Sequence, residues 1–107
     1  MTQELMKIES IELGVGGYQG AMFGISVTLS GASSGVGDFR GDWRDHSERC
    51  QWTPGDQTRN WGETMRWIAD LMKDAKKTRL QDMVGVPVEV TLDGNMLKSW
   101  RILTEVI

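Results

Sequence analysis

Cysteine, histidine and tyrosine each occur once in this chain of 107 residues, and proline twice. With Cys50 alone, no disulfide can close within the chain and a cysteine-rich zinc site is excluded. A reducing compartment is the expected setting. Long apolar runs are missing too, none approaching the roughly 18 residues of a membrane-spanning helix. Glu4, Lys7 and Glu9 interrupt the N-terminal stretch where a secretory signal needs an unbroken apolar core. The expectation is a cytoplasmic protein that does not engage membranes. An excess of positive charge is also lacking. At a net charge of −3, general coating of DNA or RNA is disfavoured, because that affinity rests on neutralising phosphates with Lys and Arg.

What is present is a composition of 39% hydrophobic and 25% charged residues, which suits one ordinary globular domain spanning residues 1–107. At this length roughly two-thirds of the unfolded surface can be buried, enough for one sheet and a helix. A large enclosed active site does not fit easily. Five tryptophans stand out, and Trp is favoured where large amphipathic surfaces are covered, in cores and in interfaces alike.

The first half reads as a glycine-punctuated β region. Met6, Ile8, Ile11 and Leu13 are apolar among charged neighbours, with a phase irregularity near Ser10. Glycines 14, 16, 17 and 20 then supply a connection. Phe23, Ile25, Val27 and Leu29 alternate with small or polar residues, the period of a strand with one buried face. Gly31 to Gly35 break it, and Val36 to Trp43 return as a third strand in which Val36 and Phe39 are out of phase. Thr53, Pro54 and Asp56 form a helix start: a capping side chain, a preset φ and a carboxylate near free amides. The helix is expected over 54–77, burying the stripe Trp61, Met65, Ile68, Met72 and Ala75, with Leu71 widening it and Trp67 left exposed or interfacial. Val86, Val88, Val90 and Leu92 alternate into Asp93-Gly94-Asn95, and Leu97 to Ile107 return as the second strand of a hairpin. Pro87 lacks a backbone donor, so its end of the strand should meet an edge or a loop. The fold class is α+β: an antiparallel sheet of about five strands on one long helix, in the order βββ-α-ββ.

Sites with chemistry are few. The glycines at 14–20 do not match a dinucleotide fingerprint, and no helix follows to offer its N-terminus to a phosphate. His46 and Cys50 stand four apart and could form a base and nucleophile, and Asp42, Asp45, His46 and Glu48 carry the donor types of a divalent metal site. In a polar stretch of this kind such residues more often simply solvate a loop. No catalytic residue, metal ligand or cofactor is therefore assigned, and the chain is not read as an enzyme. The more informative group is Phe39, Arg40, Trp43, Arg44, Arg49 and Trp52, together with Trp67, because Arg and Trp dominate binding hot spots and Arg planes stack on rings. The plainer alternative has Trp43 and Trp52 closing the core edge. Lys98 and Trp100 should share one face of the last strand, with Arg101 on the other and Trp100 in the core.

The stretches Gly16-Gly17-Tyr18-Gln19-Gly20-Ala21-Met22-Phe23-Gly24, Gly35-Val36-Gly37-Asp38-Phe39, 87–95 (PVEVTLDGN) and 97–106 (LKSWRILTEV) resemble small accessory proteins of tailed phages and prophages. The likeness spans nearly the whole chain, but no residue roles come with it. It implies a compact protein made in the cytoplasm of a bacterial host. From that setting the expected function is non-catalytic binding of a host protein, such as a defence-system component that it inhibits. The alternative is sequestration of a nucleotide-like signal between rings and arginines, and a small metal- or Cys/His-dependent hydrolase ranks last. Homodimerisation is expected of a small domain with edge strands.

Overall fold

The computed structural model describes residues 1–17, 20–44 and 54–107. Five strands form one antiparallel sheet: β1 (Thr2–Gly16), β2 (Met22–Ser30), β3 (Gly35–Trp43), β4 (Pro87–Asp93) and β5 (Met96–Ile102), in the spatial order β3-β2-β1-β4-β5. One helix, α1 (Pro54–Ala75), follows β3 and packs on the sheet. The α+β class and the βββ-α-ββ order read from the sequence are those of the structure. No helix among the described residues is long and apolar enough to cross a membrane.

The alternating residues of β2 do what their period requires: Ile25, Val27 and Leu29 are buried on the inner face. Opposite them lie Met6, Ile8 and Ile11 of β1, and next to these Val88, Val90 and Leu92 of β4. Each such side chain contributes about 1.5–3 kcal/mol on leaving water. The irregularity expected near Ser10 is a β-bulge between Ile8 and Ser10, which restores the inward phase for Ile11.

β1 is longer than its hydrophobic pattern suggested because its two halves serve different neighbours. Thr2 to Lys7 pair with β4, whereas Lys7 to Gly16 pair with β2. That stagger, like the shear of a barrel, makes the sheet curl. At the tightest point Gly24 of β2 faces Gly41 of β3, and a Cβ on Gly24 would run into the Arg40 carbonyl and the Gly41 Cα. β4 joins Met83, a fully buried anchor of a short 3-10 turn, through Gly85 at φ +90°. Pro87 opens β4, where no ladder donor is needed, and its carbonyl accepts from the Leu103 amide at 3.1 Å.

Four expectations need correction. The helix ends at Ala75, not Lys77, because Lys76 turns left-handed (φ 59°) and the Lys77 amide folds back onto the Met72 carbonyl at 2.9 Å. Met65 is exposed and Thr64 is buried in the seam instead, since the helix is rotated toward Trp67 and Leu71, both of which pack on the core. β5 stops at Ile102, and Thr104–Val106 form a 3-10 turn tied down by Arg101, whose guanidinium grips Glu105 at 2.8 and 2.9 Å and Glu89 at 3.2 Å. A bulge at Lys98 breaks the alternation of β5, so Leu97 and Trp100, rather than Lys98 and Trp100, face inward together.

Two outcomes follow from these contacts. Gly24→Ala should cost about 2–3 kcal/mol in urea unfolding, since neither side of the close backbone pair can yield; an unchanged midpoint would show that the strands separate easily there. The Arg101 fork holds the Glu105 carboxyl down from 4.5 to about 2. With its folded value depressed, Glu105 adds stability above its ordinary value near 4.5 and loses it as pH falls through about 2. Carbon-detected NMR should place its titration near pH 2, and a midpoint near 4.5 would mean that the clamp does not persist in solution.

Candidate functional site

Strand alternation decides where the predicted binding residues go. On β3, the residues opposite the buried Ile25 and Val27 of β2 are Arg40 and Asp38, so both face inward beneath the helix, followed by Asp42. Phe39 and Trp43 face outward on the other side of the sheet, and the Phe39 ring lies over the space above Gly16. The expected cluster of Phe39, Arg40, Trp43 and Arg44 is thus split between two faces, because neighbouring residues on a strand point oppositely. Trp43 and Arg44 end the strand, where the Gln57 side-chain amide donates to both of their carbonyls at 2.6 and 3.1 Å. Arg49 and Trp52 lie outside the described residues, as do Asp45, His46, Glu48, Cys50 and the expected capping residue Thr53.

What the fold assembles is a different group drawn from three elements. The Trp100 indole N–H of β5 donates to Asp38 Oδ2 of β3 at 2.8 Å, joining the two edge strands of the curled sheet. Trp67 of α1 meets Trp100 edge to face, with centroids 6.0 Å apart and planes at 90°. The Arg40 guanidinium sits 4.9 Å from the centre of the Trp67 ring, and its Nε is 3.9 Å from the same Asp38 oxygen. Asp38 therefore fixes Trp100 and steadies Arg40 together, while the Arg40 side chain stays 54% exposed. A cation on a ring at such a site is worth about 0.5–1 kcal/mol.

Arg40 and Trp67 also stand between two shallow grooves of about 160 Å³ each. One runs along Gly41, Asn60, Glu63 and Thr64, and the other along Asp38, Leu97, Lys98 and Trp100. Asp42, one of the four residues with metal-donor side chains that are not assigned as ligands, is buried and already used: it accepts from the Trp43 amide at 2.7 Å and from Asn60 Nδ2 at 2.5 Å. Among the described residues no three His, Cys, Asp or Glu side chains come together as metal ligands do.

Asp38 and Trp100 escaped sequence analysis as partners of Arg40. One signal was available, since Asp38, Arg40 and Asp42 recur at every second residue, which places a charged row on one strand face. That this face is the inner one, and that β5 closes onto it, depends on the curl of the sheet. No protein-family model, curated protein or solved structure matches the chain.

Trp100→Phe keeps the ring but removes the donor to Asp38. It should cost about 1.5–2 kcal/mol in chemical unfolding and shift the Trp67 and Arg40 resonances by NMR. If neither moved, the join between β3 and β5 would not depend on this bond.

Proposed function

We propose that this chain is a small, non-catalytic binding protein of a phage or prophage that occupies a host protein, such as a component of a defence system, through the seam around Arg40, Trp67 and Trp100. The observation that carries this reading is the Arg40 guanidinium, held over Trp67 and beside Asp38 yet more than half exposed. A pre-oriented Arg on a Trp is the composition of an interface anchor, because little side-chain entropy remains to be lost on binding. The phage and host setting comes from the sequence resemblance.

An Arg beside a ring also suits the second reading, a nucleotide-like ligand held at the same place. Size favours the first. Sites that enclose small molecules usually measure about 300–1,000 Å³, whereas each groove beside Arg40 offers about 160 Å³ and is open. Grooves of that size take single side chains of a partner. A larger apolar groove of about 540 Å³ lies elsewhere, between Leu5, Ser30, Pro87 and Val106, and contains no arginine.

Native mass spectrometry of the tagged protein recovered from infected and uninfected host lysate tests the reading. A protein-sized adduct that Arg40→Ala weakens by roughly 30-fold or more, with the unfolding midpoint little changed, is the expected result. A shift of a few hundred daltons lost in the same variant would transfer the site to a small ligand. An adduct indifferent to Arg40→Ala would take recognition away from this seam.

A further inference from the structure

Among the described strands, β1 is paired on both sides only at Lys7, and its two singly paired stretches differ. Beyond Lys7, on the side away from β2, Ile8 still exchanges backbone bonds with the Gly85–Val86 loop: the Ile8 amide donates to Val86 O at 3.0 Å, and the Gly85 amide donates to Ile8 O at 2.7 Å. From Ser10 to Gly16 no strand among the described residues pairs with that side. A strand's face and its hydrogen-bonding side are coupled, so residues sharing the inner face of Ile8 beyond the bulge send their amides and carbonyls the same way. These are Ile11, Leu13 and Val15.

The same stretch bears uncovered apolar surface. Leu13 is 53% exposed and Val15 51%, although they continue the face that holds Ile8 and Ile11 in the core. Met65 of α1, 51% exposed, lines an apolar hollow together with Leu13, Phe23 and Trp61. Trp61 is anchored there by its indole N–H, which donates to Phe23 O at 3.0 Å.

The remaining edges carry the devices that discourage strand addition. β5 has its bulge at Lys98 and a charged Arg101. The carbonyls at the end of β3 are capped by Gln57. The Thr2–Met6 half of β1 is overlaid by the β2–β3 turn, where Ser34 bonds Glu4 and Gly31 packs on Met6. Ser10–Gly16 has neither Lys nor Pro nor an inward charge.

We infer that Ser10–Gly16 is a strand-addition edge that pairs antiparallel with the same segment of a second copy of this chain, about a two-fold axis at Leu13. In that register Leu13 of one copy exchanges both backbone bonds with Leu13 of the other, and Ile11 with the second copy's Val15. The inner faces merge into one apolar strip beside Met65. The register is self-complementary for a second copy: it sets the exposed Leu13 and Val15 against Leu13 and Ile11 of the other chain, and Glu12, the sole charged side chain of the segment, points outward and meets Gly14 of the other copy rather than a second carboxylate. The inference is independent of the Arg40 seam.

Sedimentation velocity over a concentration series, with amide exchange followed by NMR, tests it. Wild type should dimerise, and the Ile11, Leu13 and Val15 amides should become protected as dimer forms. Leu13→Lys, at an exposed position, should raise the dissociation constant roughly 30-fold or more while the circular dichroism spectrum stays native. Val15→Lys is the second variant should the first misfold. A chain that stays monomeric throughout, a dimer in which those three amides exchange as in the monomer, or a dimer untouched by a folded Lys variant would each overturn it. So would a monomer that accepts only a foreign extended peptide at this edge.

Discussion

The whole fold turns on β1 being shared unequally. Because its first half pairs with β4 and its second with β2, the sheet is staggered rather than flat, and a staggered antiparallel sheet coils. The coil brings the outermost strands, β3 and β5, close enough for the Trp100 indole to reach Asp38. The bulge at Ile8/Ser10 and the bare backbone contact between Gly24 and Gly41 let the strands bend without turning their apolar face outward.

The candidate site inherits its geometry from that closure. Arg40 stands on an edge strand, Trp67 on the helix and Trp100 on the opposite edge, so the group exists only when all three elements are in place. A single carboxylate serves both the indole and the guanidinium: the Asp38 side chain is only 21% exposed and its charge is offset by the indole N–H and the half-exposed Arg40. The same stagger that closes one side leaves the far half of β1 without a second strand partner among the described residues.

The strands of the inner face were legible because their period is simple: Phe23 to Leu29 and Val86 to Leu92 alternate without interruption, and Pro54 with Asp56 marks the helix start. Legibility failed where packing overrode local pattern. Met65 fits the helical stripe better than Thr64 does by hydropathy, yet the helix rotates to seat Trp67 and Leu71 against the core, and the methionine is left outside. At Lys98 a bulge moved a residue out of phase, and no turn residue announced it. At the candidate site, chain proximity grouped Phe39, Arg40, Trp43 and Arg44, whereas the strand separates Arg40 from the two rings.

The sequence by itself determined the α+β class, the order of elements, the principal inner-face residues and the hairpin at Gly94–Asn95, because each rests on short-range periodicity or on backbone freedom at a turn. Only the tertiary structure decided which strands are neighbours, that β3 and β5 approach each other, and that Arg40 rests on Trp67 beside the Asp38–Trp100 bond. Asp38 and Trp100 are 62 residues apart in the chain. Contacts of that separation are set by the register and curl of the sheet as a whole, which emerge from many pairings at once and leave no mark in any single stretch of sequence.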